Sequence, residues 1–229
     1  MSNRQLVTAS LVLSVMASGC ATVMPMAFSE NAAAPPAAGK VTFLMTLTSR
    51  NVYKPSYQPK LLVVNVERPN ASDSKDRFNF KMDDSGRAES EAPQTGNNYL
   101  IRMQLDQGEY LVRGFTSFNH GFLINATFFA PLHGKLQVVA PGVYYLGHVD
   151  TTVRERVGGE FTAGAPIPLI DQAVSGASGG TFDVSVTDGW QIDGPRFLAA
   201  FPGLRQIAVR KMVLPPFDRA AAQKWWETN

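Results

Sequence analysis

The stretch Val41-Thr42-Phe43-Leu44-Met45-Thr46-Leu47-Thr48 decides the fold class of this chain. Four large apolar side chains, at positions 41, 43, 45 and 47, alternate with three threonines, so an extended segment would have one apolar face. A period of two residues is typical of a β-strand that packs one face against a core. The sequence therefore predicts a half-buried strand here.

Strand patterns continue along most of the chain. The run 61–66 is apolar except for Asn65, as in an interior strand, and turn signals such as Asp83-Asp84-Ser85-Gly86 and Pro141-Gly142 separate the later segments. The predicted strands centre on residues 41–48, 61–66, 78–80, 99–105, 110–115, 122–129, 136–139, 143–149 and 182–186. About nine short strands favour a mainly β fold, an antiparallel β-sandwich, with an open β-barrel as the alternative.

Two of these strands open with the same pattern, Gly108-x-Tyr110 and Gly142-x-Tyr144. In one interpretation, each glycine supplies a backbone conformation that other residues avoid, and each tyrosine packs flat beside it. In the other, a common turn-into-strand pattern recurs by chance. The residues alone leave both open.

Beyond these strands the chain changes character. The stretch Arg156–Thr181 is rich in Gly, Ala, Pro and Ser, and we expect a disordered surface excursion. A last strand is predicted within 207–214. Two short helices are also predicted, the first capped by Asp193 and the second, over 219–226, capped by Asp218.

Cys20 is the only cysteine of the 229 residues, and it ends the string Met16-Ala17-Ser18-Gly19-Cys20. The uncharged run 6–16 is too short to span about 30 Å of hydrocarbon. It fits the roughly 7–15-residue apolar core of an export signal. The three small residues resemble the bacterial lipobox, although Ala17 stands where Leu is commoner. We therefore predict a signal peptide over 1–19 and lipidation of Cys20; the alternative is an ordinary secreted protein.

The lipobox resemblance implies a diacylglycerol on the Cys20 thiol and a third chain on the new amino terminus. Two or more chains make membrane attachment effectively stable. Ala21 follows the cysteine, and by resemblance to Gram-negative lipoproteins the absence of Asp there implies the outer membrane. We also predict that the domain faces the periplasm, a side that the residues themselves leave open. The lipidated residue and a flexible tether would cover 20–40, the β-sandwich domain 41–217 and a C-terminal helix 218–229.

The charge balance limits the classes of partner that the protein can bind by electrostatic attraction. Removing 1–19 takes away one arginine, which leaves 20 cations against 19 acidic residues. That balance argues against electrostatic capture of nucleic acid, which needs a concentrated basic face. Hydrophobic residues make up 45% and charged residues 17%, as in a globular domain. With a single cysteine, no disulfide can form within the chain.

Chemistry-bearing motifs are few. His148-x-Asp150 is a possible metal pair, but a metal site needs three or four converging ligands. A histidine that is solvated or bonded to backbone is the better interpretation. The sequence lacks a G-x-S-x-G elbow, a phosphate-binding loop and the calcium-loop template. We therefore expect no catalytic residue, no metal and no cofactor.

Aromatic residues offer candidate contacts for a protein partner. In Phe118-Asn119-His120-Gly121-Phe122 a turn stands between two phenylalanines, and exposed aromatic loops are plausible contact points. Trp225 and Trp226 point to neighbouring faces of the last helix, so at least one should be partly exposed unless that helix docks in a groove. The predicted partner contacts are Phe118, His120, Phe122, Trp225 and Trp226.

The second half of the chain carries two further motifs, Pro141-Gly142-Val143-Tyr144 and Phe201-Pro202-Gly203-Leu204. They resemble small β-sandwich lipoproteins of uncharacterised function from Gram-negative bacteria. The resemblance implies a fold and a location but no substrate. The sequence thus predicts a membrane-tethered, non-enzymatic binding or scaffolding domain of the cell envelope. The alternatives are a carrier of a lipid or sugar in an aromatic cleft, and a metal-dependent enzyme that uses His148 and Asp150.

Overall fold

A computed structural model describes residues 21–28, 39–90, 92, 94–121, 123–138, 140–165 and 170–228. The strands are β1 Thr22–Met24, β2 Val41–Asn51, β3 Lys60–Glu67, β4 Arg77–Lys81, β5 Arg87–Ala88, β6 Asn97–Leu105, β7 Gly108–His120, β8 Asn125–Val138, β9 Gly142–Glu155, β10 Gly180–Thr187 and β11 Val209–Lys211. The α-helices are α1 Ile170–Val174, α2 Trp190–Ala200 and α3 Arg219–Thr228. Short 3-10 turns occur at Ser74–Asp76, Asp84–Gly86 and Pro202–Gln206.

The strands form two sheets that enclose one main core. Sheet A has the order β1-β4-β3-β7-β8, and sheet B has the order β10-β9-β2-β6-β5, with β11 also paired to β9. The predicted β-sandwich is confirmed, and the described strands form two separate sheets rather than one closed barrel. Both sheets are mixed: most neighbours are antiparallel, but β1–β4, β2–β9 and β11–β9 are parallel.

Strand β2 is buried on both faces, so the expectation of a half-buried strand is wrong. Phe43 lies in the main core between the sheets. Leu44 points the other way, into a second apolar cluster that includes Phe197 and Phe201. Helix α2 and the following 3-10 turn cover the outer face of sheet B. Even the polar side chain of Thr46 is therefore inaccessible to solvent.

The sandwich has two ends, which we call the near end and the far end. At the near end β7 begins, paired at Gly108 with Val138 of β8, and β9 begins at Gly142. At the far end lie the hairpin tip between β7 and β8 and helix α1. Strand β7 has 13 residues and so spans about 40 Å from one end to the other.

The two Gly-x-Tyr strand openings share one conformation. Gly108 and Gly142 have φ values of 145° and 150°. A Cβ atom on them would lie 3.7 Å from the Tyr110 ring and 3.5 Å from the Tyr144 ring. Each tyrosine thus packs over the glycine two residues before it, which supports a structural role for the pattern rather than chance.

The stretch Arg156–Thr181 is largely packed, and the expectation of disorder is wrong for its described part; residues 166–169 lie outside that part. Phe161, Ala163 and Ala177 are buried in the main core. Small side chains allow this close packing, because a Cβ on Gly164 would lie only 2.4 Å from the backbone oxygen of Thr127.

The C-terminal helices differ in how they begin. The cap predicted at Asp218 is confirmed, since its Oδ1 accepts a hydrogen bond from the backbone N–H of Ala221 at 2.9 Å. The cap predicted at Asp193 is wrong, because α2 already begins at Trp190 and Asp193 lies buried inside it. Instead, Asp188 Oδ1 accepts from the Trp190 N–H at 3.3 Å.

Candidate functional site

The predicted lipidation site, Cys20, and the predicted signal peptide lie outside the described residues. Residues 21–28 directly after Cys20 are docked on the sandwich, although the sequence places them in a flexible tether. Strand β1 extends sheet A by pairing with β4. Met26 is buried in the main core, and the Ala27 N–H donates to the Arg102 carbonyl at 2.8 Å. This part of the predicted tether therefore belongs to the folded body.

Arg102 fastens that segment to sheet B. Its side chain is fully buried; Nε donates to the Phe28 carbonyl at 2.9 Å and NH1 to the Leu100 carbonyl at 2.8 Å. The guanidinium also pairs with Asp83 and lies 4.1 Å from the centre of the Phe201 ring. Burial lowers the pKa of Arg102, and the ion pair with Asp83 counteracts part of that shift.

The sequence contains no local signal for this role of Arg102. Alternation over 99–105 puts Arg102 on the face opposite Tyr99 and Ile101, where solvent would be expected. The residues that cover this face, including Phe197 and Phe201, come about a hundred positions later in the chain.

The far end brings together two of the predicted partner contacts. The Phe118 and His120 rings stack with centroids 6.2 Å apart and an interplanar angle of 18°. His120 is exposed, and its Nδ1 lies 2.5 Å from Asn125 Oδ1 across the hairpin. Phe122, the third predicted contact in this turn, lies outside the described residues. The predicted aromatic tip is thus present at Phe118 and His120.

Exposed aliphatic side chains extend this tip. Leu123 is 78% exposed and Ile170 is 77% exposed. The two elements that carry them are linked, because the Asn125 N–H donates to Asp171 Oδ2 at 3.1 Å. Of the eight exposed large hydrophobic residues in the described chain, five lie at this end: Val52, Leu123, Val157, Ile170 and Val174. We call Phe118, His120, Leu123, Ile170 and Val174 the far-end surface.

The two tryptophans lie elsewhere, on helix α3 beside β8. The Arg113 guanidinium lies 4.6 Å from the Trp225 ring centre, and the rings of His133 and Phe129 lie 5.2 and 5.8 Å from it. Trp226 is half-buried against the main core. Both tryptophans therefore dock α3 on its own sandwich, and the structure does not bring them together with the far-end surface.

His148 and Asp150 belong to a polar network between sheet B and α2. His148 Nδ1 lies 3.1 Å from both carboxylate oxygens of Asp193, which is fully buried. Tyr145 also donates its hydroxyl hydrogen to Asp193, at 2.5 Å. On the other side of the ring, His148 Nε2 is 2.9 Å from Thr48 Oγ1 and 3.7 Å from Asp150.

The polar groups of this network bond mainly to one another, although the buried Arg50 Nε has no hydrogen-bond partner among the described residues. Thr48 Oγ1 donates to Asn98 Oδ1 at 2.9 Å and is buried, so it offers neither an activated hydroxyl nor access for a substrate. Arg50 pairs with Asp150 at 2.8 Å. Within the described residues, no group of three or more His, Cys, Asp or Glu side chains is placed to hold a metal ion. The contacts of Asp193 with His148 and Tyr145 hold α2 against sheet B.

The network also sets the charge of its buried carboxylate. Burial alone would raise the pKa of Asp193, but hydrogen bonds from His148 and Tyr145 outweigh it and leave the pKa below its ordinary value. Burial and the bond to Asp193 raise the pKa of the Tyr145 phenol. Asp193 therefore stays ionised near neutral pH and Tyr145 keeps its proton.

No family model, no curated protein and no solved structure matches this chain. Its function is therefore inferred from its own residues.

The aromatic side chains proposed to line a ligand cleft are mostly part of the packing. Phe115, Phe128 and Tyr145 are buried. A groove of about 510 Å³ lies at the near end instead, with Tyr110 among its lining residues. Among the described residues, no helix has the length and apolar character needed to cross a bilayer.

Proposed function

We propose that this protein is an outer-membrane lipoprotein, anchored through Cys20 and facing the periplasm, whose β-sandwich is a non-enzymatic binding or scaffolding domain for a protein partner. The lipobox-like string before Cys20 supports the anchor. The closed network around His148 supports a non-enzymatic role, since its hydroxyl and carboxylates are engaged with each other. A stoichiometric metal ion in the purified protein would contradict that role.

The concentration of exposed apolar side chains on the far-end surface carries the proposal of a binding domain. Leu123 and Ile170 expose more than three quarters of their area, although the same chain buries most of its other large apolar residues. Covering such surface stabilises a complex by about 25 cal/mol per Å². The Phe118–His120 stack beside them adds an aromatic contact of the kind that often dominates an interface.

The anchor is tested by the variant Cys20→Ser. We expect the native protein to sediment with membranes and its mature N-terminal peptide to carry the mass of the acyl chains. Cys20→Ser should appear in the soluble fraction or retain its signal peptide. If Cys20→Ser is processed at the same bond and still sediments with membranes, the lipid anchor is wrong.

The binding surface is tested by mixing the protein with envelope proteins solubilised in detergent and identifying what co-purifies with it. The double variant Leu123→Ser/Ile170→Ser should lose a partner that co-purifies with the native protein. Ile192→Ser is the matched control, because Ile192 is an equally exposed apolar residue (71%) on α2, outside the far-end surface. Both variants should keep the native unfolding temperature. Equal capture by the double variant and the control would refute the far-end surface as a binding site.

A further inference from the structure

The chain leaves almost no spacer between Cys20 and the folded body. Ala21 alone separates Cys20 from β1. Consecutive Cα atoms are about 3.8 Å apart, so the Cα of Cys20 lies within about 8 Å of that of Thr22. Thr22 pairs with Phe78, at the start of β4 and next to the 3-10 turn Ser74–Asp76. Ala21, the residue bonded to Cys20, therefore lies toward the near end.

The docked segment cannot swing away from the body without breaking several contacts. The backbone of residues 22–24 pairs with β4, Met26 is buried, and Phe28 accepts a hydrogen bond from the buried Arg102. Acyl chains on Cys20 would thus enter the bilayer from a fixed place on the sandwich, and the bilayer would meet whichever surface surrounds that place.

We infer that the near end of the sandwich lies against the lipid headgroups, so that the strands stand upright on the membrane. This inference rests on the lipid anchor proposed above. It adds a second interaction surface, whose partner is the bilayer itself. The far-end surface is then held away from the membrane by about the length of β7, roughly 40 Å.

A side-on placement is the geometric alternative, because β1 is also the edge strand of sheet A. The edge of sheet B on the same side is β5, where the carboxylates of Asp83, Asp84 and Glu89 lie. The side chain of Asp84 is fully exposed there. Arg87 lies 3.7 Å from Asp84 at that edge, and the near end carries exposed Asp73 and Asp106 beside its lysines, so charge does not separate the two placements. The upright placement rests on the direction of β1, whose first residue lies toward the near end.

Two positions on β8 distinguish the placements. Gln137 and Thr127 are both exposed, both point outward from sheet A, and lie at the near and far ends of the same strand. They are ten residues apart, which corresponds to about 33 Å along the strand. Either can be replaced by cysteine without touching the core, and lipidation of Cys20 leaves the new thiol as the single site for a fluorophore.

The experiment uses full-length lipidated Gln137→Cys and Thr127→Cys, each labelled and reconstituted into vesicles that contain lipids with a nitroxide on the headgroup. We expect the label at position 137 to be quenched severalfold more than the label at position 127. Labelled proteins with Cys20→Ser, mixed with the same vesicles, provide the unanchored reference for each position.

Two kinds of failure can be told apart. If the anchored proteins bind the vesicles but both labels are quenched equally, or neither is quenched, the upright placement is wrong and the lipid anchor stands. If the Cys20→Ser proteins bind the vesicles as well as the lipidated ones, the proposed anchor itself fails.

Discussion

Arg102 and Asp193 are both fully buried charges, and each is satisfied by groups from distant parts of the chain. Arg102 joins the N-terminal segment to sheet B, and Asp193 joins α2 to the same sheet. A buried charge is tolerated only when its hydrogen-bonding groups are paired, so removal of a partner is far more costly than at the surface. The outer face of sheet B is therefore held together by polar contacts as well as by apolar packing.

Arg102→Ala should lower the free energy of unfolding by about 3 kcal/mol, because it removes a buried ion pair and leaves the Phe28 and Leu100 carbonyls without their donor. Lys135→Ala, at an exposed position, should change it by less than about 0.5 kcal/mol. Urea unfolding of the two variants measures both values. Equal stability of the variants would show that the contacts of Arg102 contribute nothing.

Asp193→Asn should destabilise the protein by about 2 kcal/mol at pH 7, because a hydrogen-bonded carboxylate is lost. The folded pKa of Asp193 lies below its ordinary value of 3.8. Its stabilisation is therefore fully present above that value and is lost as the pH falls through the folded pKa. The difference between variant and native protein should stay constant from pH 7 to about pH 4 and shrink as the pH falls further, in urea unfolding. A difference that stays constant down to about pH 2 would contradict this role.

At the scale of elements, β1 and α3 lie at opposite edges of sheet A. The sequence placed β1 in a flexible tether and left open whether the last helix docks in a groove. Strand β1 pairs with β4, and α3 packs against β8. An edge strand leaves a row of unpaired backbone groups unless something covers it. The two terminal segments therefore complete the sandwich.

A chain that begins at Lys40 should be less stable than one that begins at Ala21, by about 3 kcal/mol, because it loses the burial of Met26 and Phe28. It should also aggregate more readily, since the backbone edge of β4 is uncovered. Thermal unfolding and light scattering measure the two effects. Met26→Ser in the longer chain should reproduce part of the loss in stability, and equal melting of both chain lengths would show that the segment is not docked.

Trp225→Ala should lower the free energy of unfolding by about 2 kcal/mol, because the ring packs against Arg113, Phe129 and His133. Trp225→Phe should keep part of that packing. Thermal unfolding gives the order native, Phe variant, Ala variant. If Trp225→Ala melts like the native protein and yet loses a bound partner, Trp225 is a partner contact, as the sequence predicts.

At the scale of the whole molecule, alternation found most of the strands because the period of two residues is a local property. Strands β2, β4, β6 and β10 lie where alternation predicted them, and β3 lies where an apolar run predicted it. The threonines of β2 were assigned to a solvent face, because alternation does not show what covers a sheet. That cover comes from residues 190–204, far along the chain.

The candidate site was likewise predicted only where its signal in the sequence is local. A turn between two aromatic residues predicted the Phe118–His120 tip, since turns and ring positions can be read locally. Ile170 was missed because it lies in a stretch whose small residues resemble a disordered segment. Trp225 lies outside the sheet, and Trp226 packs against the core. Their positions depend on where α3 docks, which no local pattern encodes.

The path of the backbone from Phe28 to β2 runs through residues 29–38, whereas Ala21 to Phe28 are held by strand pairing and packing. A protease that cut this connection would produce two polypeptides without separating them. The short peptide would remain inserted as an edge strand, and with the acylation proposed for Cys20 the larger fragment would remain at the membrane through non-covalent bonds alone. The rate at which the cleaved protein leaves the membrane would then be set by dissociation of that strand rather than by the cleavage.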